Sequence, residues 1–257
     1  FFSPRCLLLL VEILSPGTWR SDLGIGRAPG SDPLTARALR HGPGALGIEH
    51  FPRQIADLIG FLHDRLEPDH PFAGVRAMPA GPTAPEVWLL GSIDSSAACS
   101  SHFGTAFSFA HFINDKGGAE ITRAYAREFR PSRYFPRPRA CVAVFVVCAD
   151  TEAEARRLAQ SRDLFLVQLY TGRPGPYPSV EEAEAYPYSA QELAIANHAR
   201  QRTIAGAPAE VRERLLALGA EYGVDEFVIV TITHDFKARL RSYELLAEVF
   251  GLEPRGP

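Results

Sequence analysis

ACVAVFVVCA, residues 140–149, is the stretch whose reading decides the fold. Every side chain in it is apolar or small, valine dominates, and Asp150 ends the run. A strand with one wet face alternates apolar and polar residues, so a strand that never alternates is covered on both faces. A parallel sheet with helical crossovers provides that cover. The same pattern extends in both directions along the chain. Downstream, Thr151 opens a helix to about residue 170, with Glu154 at the reciprocal position of a capping box. Residues 172–188 read as a proline-rich loop, 189–202 as a helix with a Ser189/Glu192 start, and 203–206 as a short extended piece. A helix over 208–222, a strong strand over 226–233 and a last helix over 236–250 complete the C-terminal part.

Upstream, residues 118–129 read as helix, 105–113 as strand, and 86–90 (EVWLL) as a buried strand that runs into GSIDSS and a helix of small residues. Residues 67–85 are a Pro- and Gly-containing excursion. Over 50–66 a helix is marked by Ile55, Leu58, Ile59 and Leu62 at 3.6-residue spacing. Residues 22–26 read as a short strand, 33–40 as a short helix, and 6–14 as a buried amphipathic helix stopped by Pro16 and Gly17. Strands and helices alternate with no internal repeat. The expectation is therefore α/β, of (β/α)8 TIM-barrel type, with residues 1–257 forming a single, partial barrel domain. Only five or six strands are legible, whereas closure takes eight, so the first strands of the barrel are expected to be missing. An open doubly wound sheet is the alternative; against it, no G-x-G-x-x-G lies between a strand and a helix.

Composition bounds the partners. The chain has 257 residues, 46% hydrophobic and 22% charged, and a formal net charge of -3. Such a chain has material for one large core and no basic surface, which argues against nucleic acid and anionic membranes. The apolar run at 6–14 is interrupted by Glu12 and falls well short of the roughly 20 residues of a membrane span. It also lacks the basic start of a signal peptide. Cys6, Cys99, Cys141 and Cys148 form no C-x-x-C pair and no zinc spacing, so they are expected to be reduced thiols of a cytoplasmic protein without a metal. The first residue is Phe and the single methionine is Met78, which leads to the expectation that upstream sequence is absent.

Two segments have the chemistry to grip an anion. Gly91, Ser92, Ser95 and Ser96 stand between a strand and a helix, where amide N–H groups at a helix start and small hydroxyls suit a phosphate. Asp94 or Ser95 could equally be ordinary helix caps. Arg27 and Ala28 follow directly on the 22–26 strand, and a planar guanidinium can donate two parallel hydrogen bonds to phosphate. The two segments support one another only if they meet in space, which barrel topology allows. His234, beside Asp235, ends the 226–233 strand, where Asp235 would also cap the following helix. His41, His50, His63, His70, His102 and His198 read as structural or solvated.

The stretches DLGIGRAPGSDP (22–33), EVWLLGS followed by small residues (86–97), FSFAHFIN (107–114), VDEFVIVTITHD (224–235) and RLRSYELLAEVFGL (239–252) together resemble the luciferase-like monooxygenase family, in its bacterial-type branch of flavin-dependent oxidoreductases. The resemblance runs from about residue 10 to 252. It implies a (β/α)8 barrel that binds reduced FMN, or less often the deazaflavin F420, and oxidises a small organic substrate such as an aldehyde with O2. By this resemblance Arg27 and Ala28, with Gly91, Ser92, Ser95 and Ser96, hold the flavin phosphate. His111 lies near the flavin ring or the substrate; His234 is the other candidate for a catalytic part. A flavin reductase and a second copy of the chain are the implied partners. Ile93 departs from the pattern, standing where similar sequences often carry a serine. Family members also carry about 80–100 further residues ahead of the match, with the first strands of the eight. The alternative is a non-catalytic or inactive truncated barrel, serving as a flavin-binding or partner-dependent subunit.

Overall fold

The computed structural model describes residues 22–26, 34, 37–38, 47–78, 84–132 and 134–253. The expected helix at 6–14 and Cys6 lie outside the described residues, as does most of the expected helix at 33–40. The chain divides into two compact units, Phe1–Ser108 with Ala124–Arg139, and Phe109–Arg123 with Ala140–Pro257.

The first unit contains β1 (Asp22–Gly26), α1 (Phe51–Leu62), β2 (Glu86–Gly91) and α2 (Asp94–Phe103). The start of β3 (Ala106–Ala110) and the end of α3 (Gly118–Glu128) also belong to it. β1 and β2 are parallel neighbours, in register from Asp22 opposite Glu86 to Gly26 opposite Leu90. Ile55 of α1 packs on Val87 and Leu89 of β2, with Ile59 and Leu62 beside it, as the 3.6-residue spacing requires. α2 is built of small residues because its inner face buries hydroxyls rather than alkyl groups. Ser100 Oγ lies 2.9 Å from the Ala106 carbonyl and 2.9 Å from Thr105 Oγ1, and Ser101 Oγ lies 3.0 Å from the Ala97 carbonyl and 3.1 Å from that of Tyr125. Tyr125 is the polar keystone of this unit. Its buried hydroxyl sits 2.9 Å from the Thr105 carbonyl and 3.0 Å from the Arg139 carbonyl, and accepts from the Arg139 N–H at 3.2 Å. Burial pushes the phenol up to about 12, so it remains a donor at any ordinary pH.

The second unit holds the rest of β3 and α3, followed by β4 (Ala140–Cys148), α4 (Glu152–Tyr170), α5 (Val180–Ala185) and α6 (Ala190–Gln201). β5 (Thr203–Gly206), α7 (Pro208–Tyr222), β6 (Phe227–Val230) and α8 (Phe236–Phe250) complete it. β4 is its axis, with every residue from Cys141 to Cys148 buried. It has parallel partners, as its lack of alternation requires. β5 pairs with its upper half, from Phe145 opposite Thr203 to Cys148 opposite Gly206. β6 pairs with its lower half, from Val142 opposite Phe227 to Phe145 opposite Val230. Phe145 thus stands in both ladders. Side chains continue the pairing where β6 stops: Thr231 Oγ1 donates to the Val146 carbonyl at 2.8 Å, and Ser242 Oγ accepts from the Cys148 N–H at 2.9 Å.

Several local expectations change. The 226–233 strand ends at Val230, where the threonines turn their hydroxyls to backbone carbonyls. Within the expected loop at 172–188, α5 forms from a complete capping box between Ser179 and Glu182. Six residues between prolines are too short to show a period, yet they are long enough for a cap. Ser189 and Glu192 make the reciprocal box expected of them. At Thr151 only half of it exists: the hydroxyl accepts from the Glu154 N–H, while the Glu154 carboxylate lies 3.9 Å from Arg157. Cys99, Cys141 and Cys148 are in no disulfide.

Replacing Tyr125→Phe should cost about 1–3 kcal/mol, the usual penalty for stripping buried polar groups of their partner. Urea unfolding reads this as a lower midpoint at unchanged slope.

Candidate functional site

The parallel register of β1 and β2 brings their C-terminal ends side by side, Gly26 against Leu90. Arg27 and Ala28, which follow Gly26 in sequence, lie outside the described residues. From Leu90 the chain passes through Gly91 and Ser92, both half-buried, into α2. Gly91 is required by close approach: a Cβ there would stand 2.3 Å from both Cβ and Oγ of Ser96, which is itself buried. The cap of α2 differs from the expectation for Asp94 or Ser95. Ile93 is the N-cap, extended at φ -141 and ψ 162, and supplies no side-chain acceptor. Asp94 is the first helical residue, and its Oδ1 accepts from the Ser95 N–H at 2.7 Å. The result is a helix start that presents amide dipoles without a capping hydroxyl, beside a strand end of tight, small residues. Such a terminus carries partial positive charge and suits an anion, although the Asp94 carboxylate sits on its rim.

His111, in the second unit, follows the last residue of β3 and is buried. Its ring meets that of Tyr222 edge-on, with centroids 6.1 Å apart, and Tyr222 in turn lies 5.6 Å from Phe109. His111 Nδ1 is buried and has no hydrogen-bond partner among the described residues. Burial lowers its pKa; Asp115 and Glu221 pull the other way, and Arg202 adds to the lowering. The ring is therefore held neutral, with one nitrogen able to accept a proton. Arg202 was not among the sequence candidates. It ends α6 just before β5, a place where an arginine usually does no more than cap a helix, and only the tertiary structure turns it toward the end of β3. His234 is exposed, and Asp235 is indeed a helix cap, accepting from the Lys237 N–H at 2.9 Å. Among the described residues no cluster of His, Cys, Asp or Glu could hold a metal ion, and no helix is long and apolar enough to cross a membrane.

The sign of the His111 effect gives a test. Its folded pKa lies below the unfolded value of about 6.5, so the unfolded chain binds more protons in acid. Stability should fall as pH drops below about 6.5 toward the folded pKa, and His111→Gln should flatten that part of the profile. Two-dimensional NMR of the imidazole should show its midpoint below that of a solvated histidine.

No family model matches the chain. Relatives are nonetheless clear. The chain is 44% identical over 242 residues to the uncharacterised protein YwcH of Bacillus subtilis, covering 94% of this chain and 72% of that protein. It is 34% identical over 241 residues to a luciferase-like monooxygenase of Escherichia coli, covering 93% of this chain and 69% of that protein. Among solved structures, apo-MsnO8 superposes with a TM-score of 0.84 at 31% identity, over 99% of this chain and 76% of the other. The parallel strands, the helical crossovers and this superposition agree with the expected α/β fold of barrel type. The chain belongs to the luciferase-like monooxygenase family.

Proposed function

We propose that this chain is a flavin-dependent monooxygenase that works with reduced FMN, F420 being the less favoured cofactor, and oxidises a small organic substrate such as an aldehyde with O2. The observation that carries the proposal is the β1–β2 register. It sets the strand end leading to Arg27 beside the strand end leading to Gly91 and the uncapped start of α2. The residues fit a phosphate. The backbone closes tightly at Gly91 against Ser96, and the N-cap residue Ile93 offers no side-chain acceptor to the amides behind it. Arg27 and Ala28 would clasp the phosphate from one strand end, and Gly91, Ser92, Ser95 and Ser96 from the other. Bound reduced flavin would supply the electrons and the O2 chemistry. The protein's share is to position, to exclude water and to keep His111 neutral so that its ring can take or hold a proton at Nδ1. His234, exposed beside a helix cap, is the weaker candidate. In this reading residues 1–257 act as one domain of a cytoplasmic homo-oligomer served by a flavin reductase.

A second reading rests on β6. Val228 in its centre is 47% exposed, and among the described residues the strand pairs with β4 alone. An open, apolar edge of this kind favours association with another strand. It would suit a non-catalytic barrel fragment acting as a flavin-binding or partner-dependent subunit.

Fluorescence titration of FMN, followed by O2 uptake, separates the two readings. A monooxygenase should bind the flavin and, with a reductase and NADH, consume O2 in proportion to added aldehyde. Gly91→Ala should weaken FMN by about tenfold or more, or roughly 1.4 kcal/mol, by pushing Ser96 out of place. A wild-type chain that self-associates and, with or without bound FMN, consumes no O2 on addition of aldehyde would favour the second reading.

A further inference from the structure

Charge is unbalanced in the interior of the second unit. Arg162 and Arg202 are each only 5% exposed. Arg162 donates to the Ala199 carbonyl at 3.1 Å and to Thr203 Oγ1 at 2.8 Å, and its guanidinium lies 4.2 Å over the Phe145 ring. Arg202 donates from Nη1 to the Ile113 carbonyl, and its Nε has no acceptor among the described residues. Neither arginine forms an ion pair with a carboxylate there. Asp163, buried beside Arg162, is taken by Arg200 Nε at 2.6 Å. Asp115 and Glu221 influence His111 but pair with neither guanidinium. Burial, together with the charge of Arg202, brings Arg162 down to about 10.

A guanidinium buried with only carbonyl and hydroxyl acceptors is costly, because desolvation is repaid in full only by an anion. Position says which anion this is. The Arg202 side chain reaches a carbonyl just beyond the last residue of β3, and His111, with its own unpartnered Nδ1, precedes that carbonyl by two residues. In parallel α/β folds the C-terminal ends of strands are where ligands are handled. We propose that Arg202, backed by Arg162 and flanked by His111, is the subsite for a carboxylate group on the substrate. A planar carboxylate matches the guanidinium fork and accepts two parallel hydrogen bonds, from Nε and the remaining Nη. This names the substrate class for the reaction proposed above and rests on that reading for its use in turnover, though not for binding. The family's small organic substrate is here an organic acid, held by its charged end while the rest of it extends toward the reacting centre.

The test needs no flavin. Hexanoate and hexanal, equal in chain length and differing in charge, are titrated calorimetrically into the full chain, wild type, Arg202→Met and Arg202→Lys. Wild type should bind hexanoate, R202M should weaken it by roughly ten- to hundredfold, and hexanal should change by less than about twofold. R202K keeps the charge without the fork and should still lose about fivefold or more. It carries the test alone if circular dichroism shows R202M unfolded. Hexanoate binding as tight in either folded variant as in wild type overturns the proposal, and so does absence of hexanoate binding to wild type. A chain that binds hexanoate through Arg202 yet neither binds FMN nor consumes O2 keeps this subsite and overturns the flavin reading. The reverse result does the opposite.

Discussion

Everything in the second unit is arranged around the need to satisfy β4 on both faces and both edges at once. A strand buried from Cys141 to Cys148 has no water to hydrogen-bond, so each of its amides and carbonyls must find protein. Phe112 donates from its amide to the Ala143 carbonyl. On the ladders β5 and β6 divide the strand between them, and the hydroxyls of Thr231 and Ser242 complete what two short strands leave undone. Parallel pairing in turn requires crossover helices. Their inner faces, such as Ala155, Leu158 and Ala159 of α4, are the apolar cover for Phe145 and Val147.

The first unit solves its interior differently. Its helix α2 buries serines, and Tyr125 ties two backbone segments through one hydroxyl. The same economy of small residues lets Gly91 and Ser96 approach closely at the head of α2, so the packing of the unit and the shape of its candidate anion site have one cause. In the second unit the arginines lie within the apolar layers, and His111 is kept uncharged by the burial that leaves Nδ1 without a partner. The second unit's candidate site thus holds polar atoms, His111 Nδ1 and Arg202 Nε, away from water with no hydrogen-bond partner among the described residues.

Much of the fold was legible in sequence because period and composition are local. The unbroken run at 140–149, the capping residues Ser189 and Glu192, and the alternation of strand and helix need only neighbours a few residues apart. The family resemblance was carried by stretches of the same kind. Less legible were short elements without a period, as at α5, and strand lengths set by partners elsewhere in the chain, as at β6. In the candidate site, Gly91 and Ser96 could be singled out from a strand–glycine–helix order. Their mutual approach and the role of Ile93 as cap could not, because a cap is defined by dihedral angles rather than by residue type.

By itself the sequence determined the class of the protein. Burial pattern and turn chemistry are properties of adjacent residues, and they allow few outcomes beyond parallel strands with helical crossovers. Tertiary structure alone decided that β5 and β6 both pair with β4, and that Arg202 turns to a carbonyl 89 residues away. It also decided that the rings of Tyr222 and His111 meet. The reason is that desolvation and charge depend on what surrounds a group in space, and no spacing along the chain encodes which distant side chains will exclude water from it.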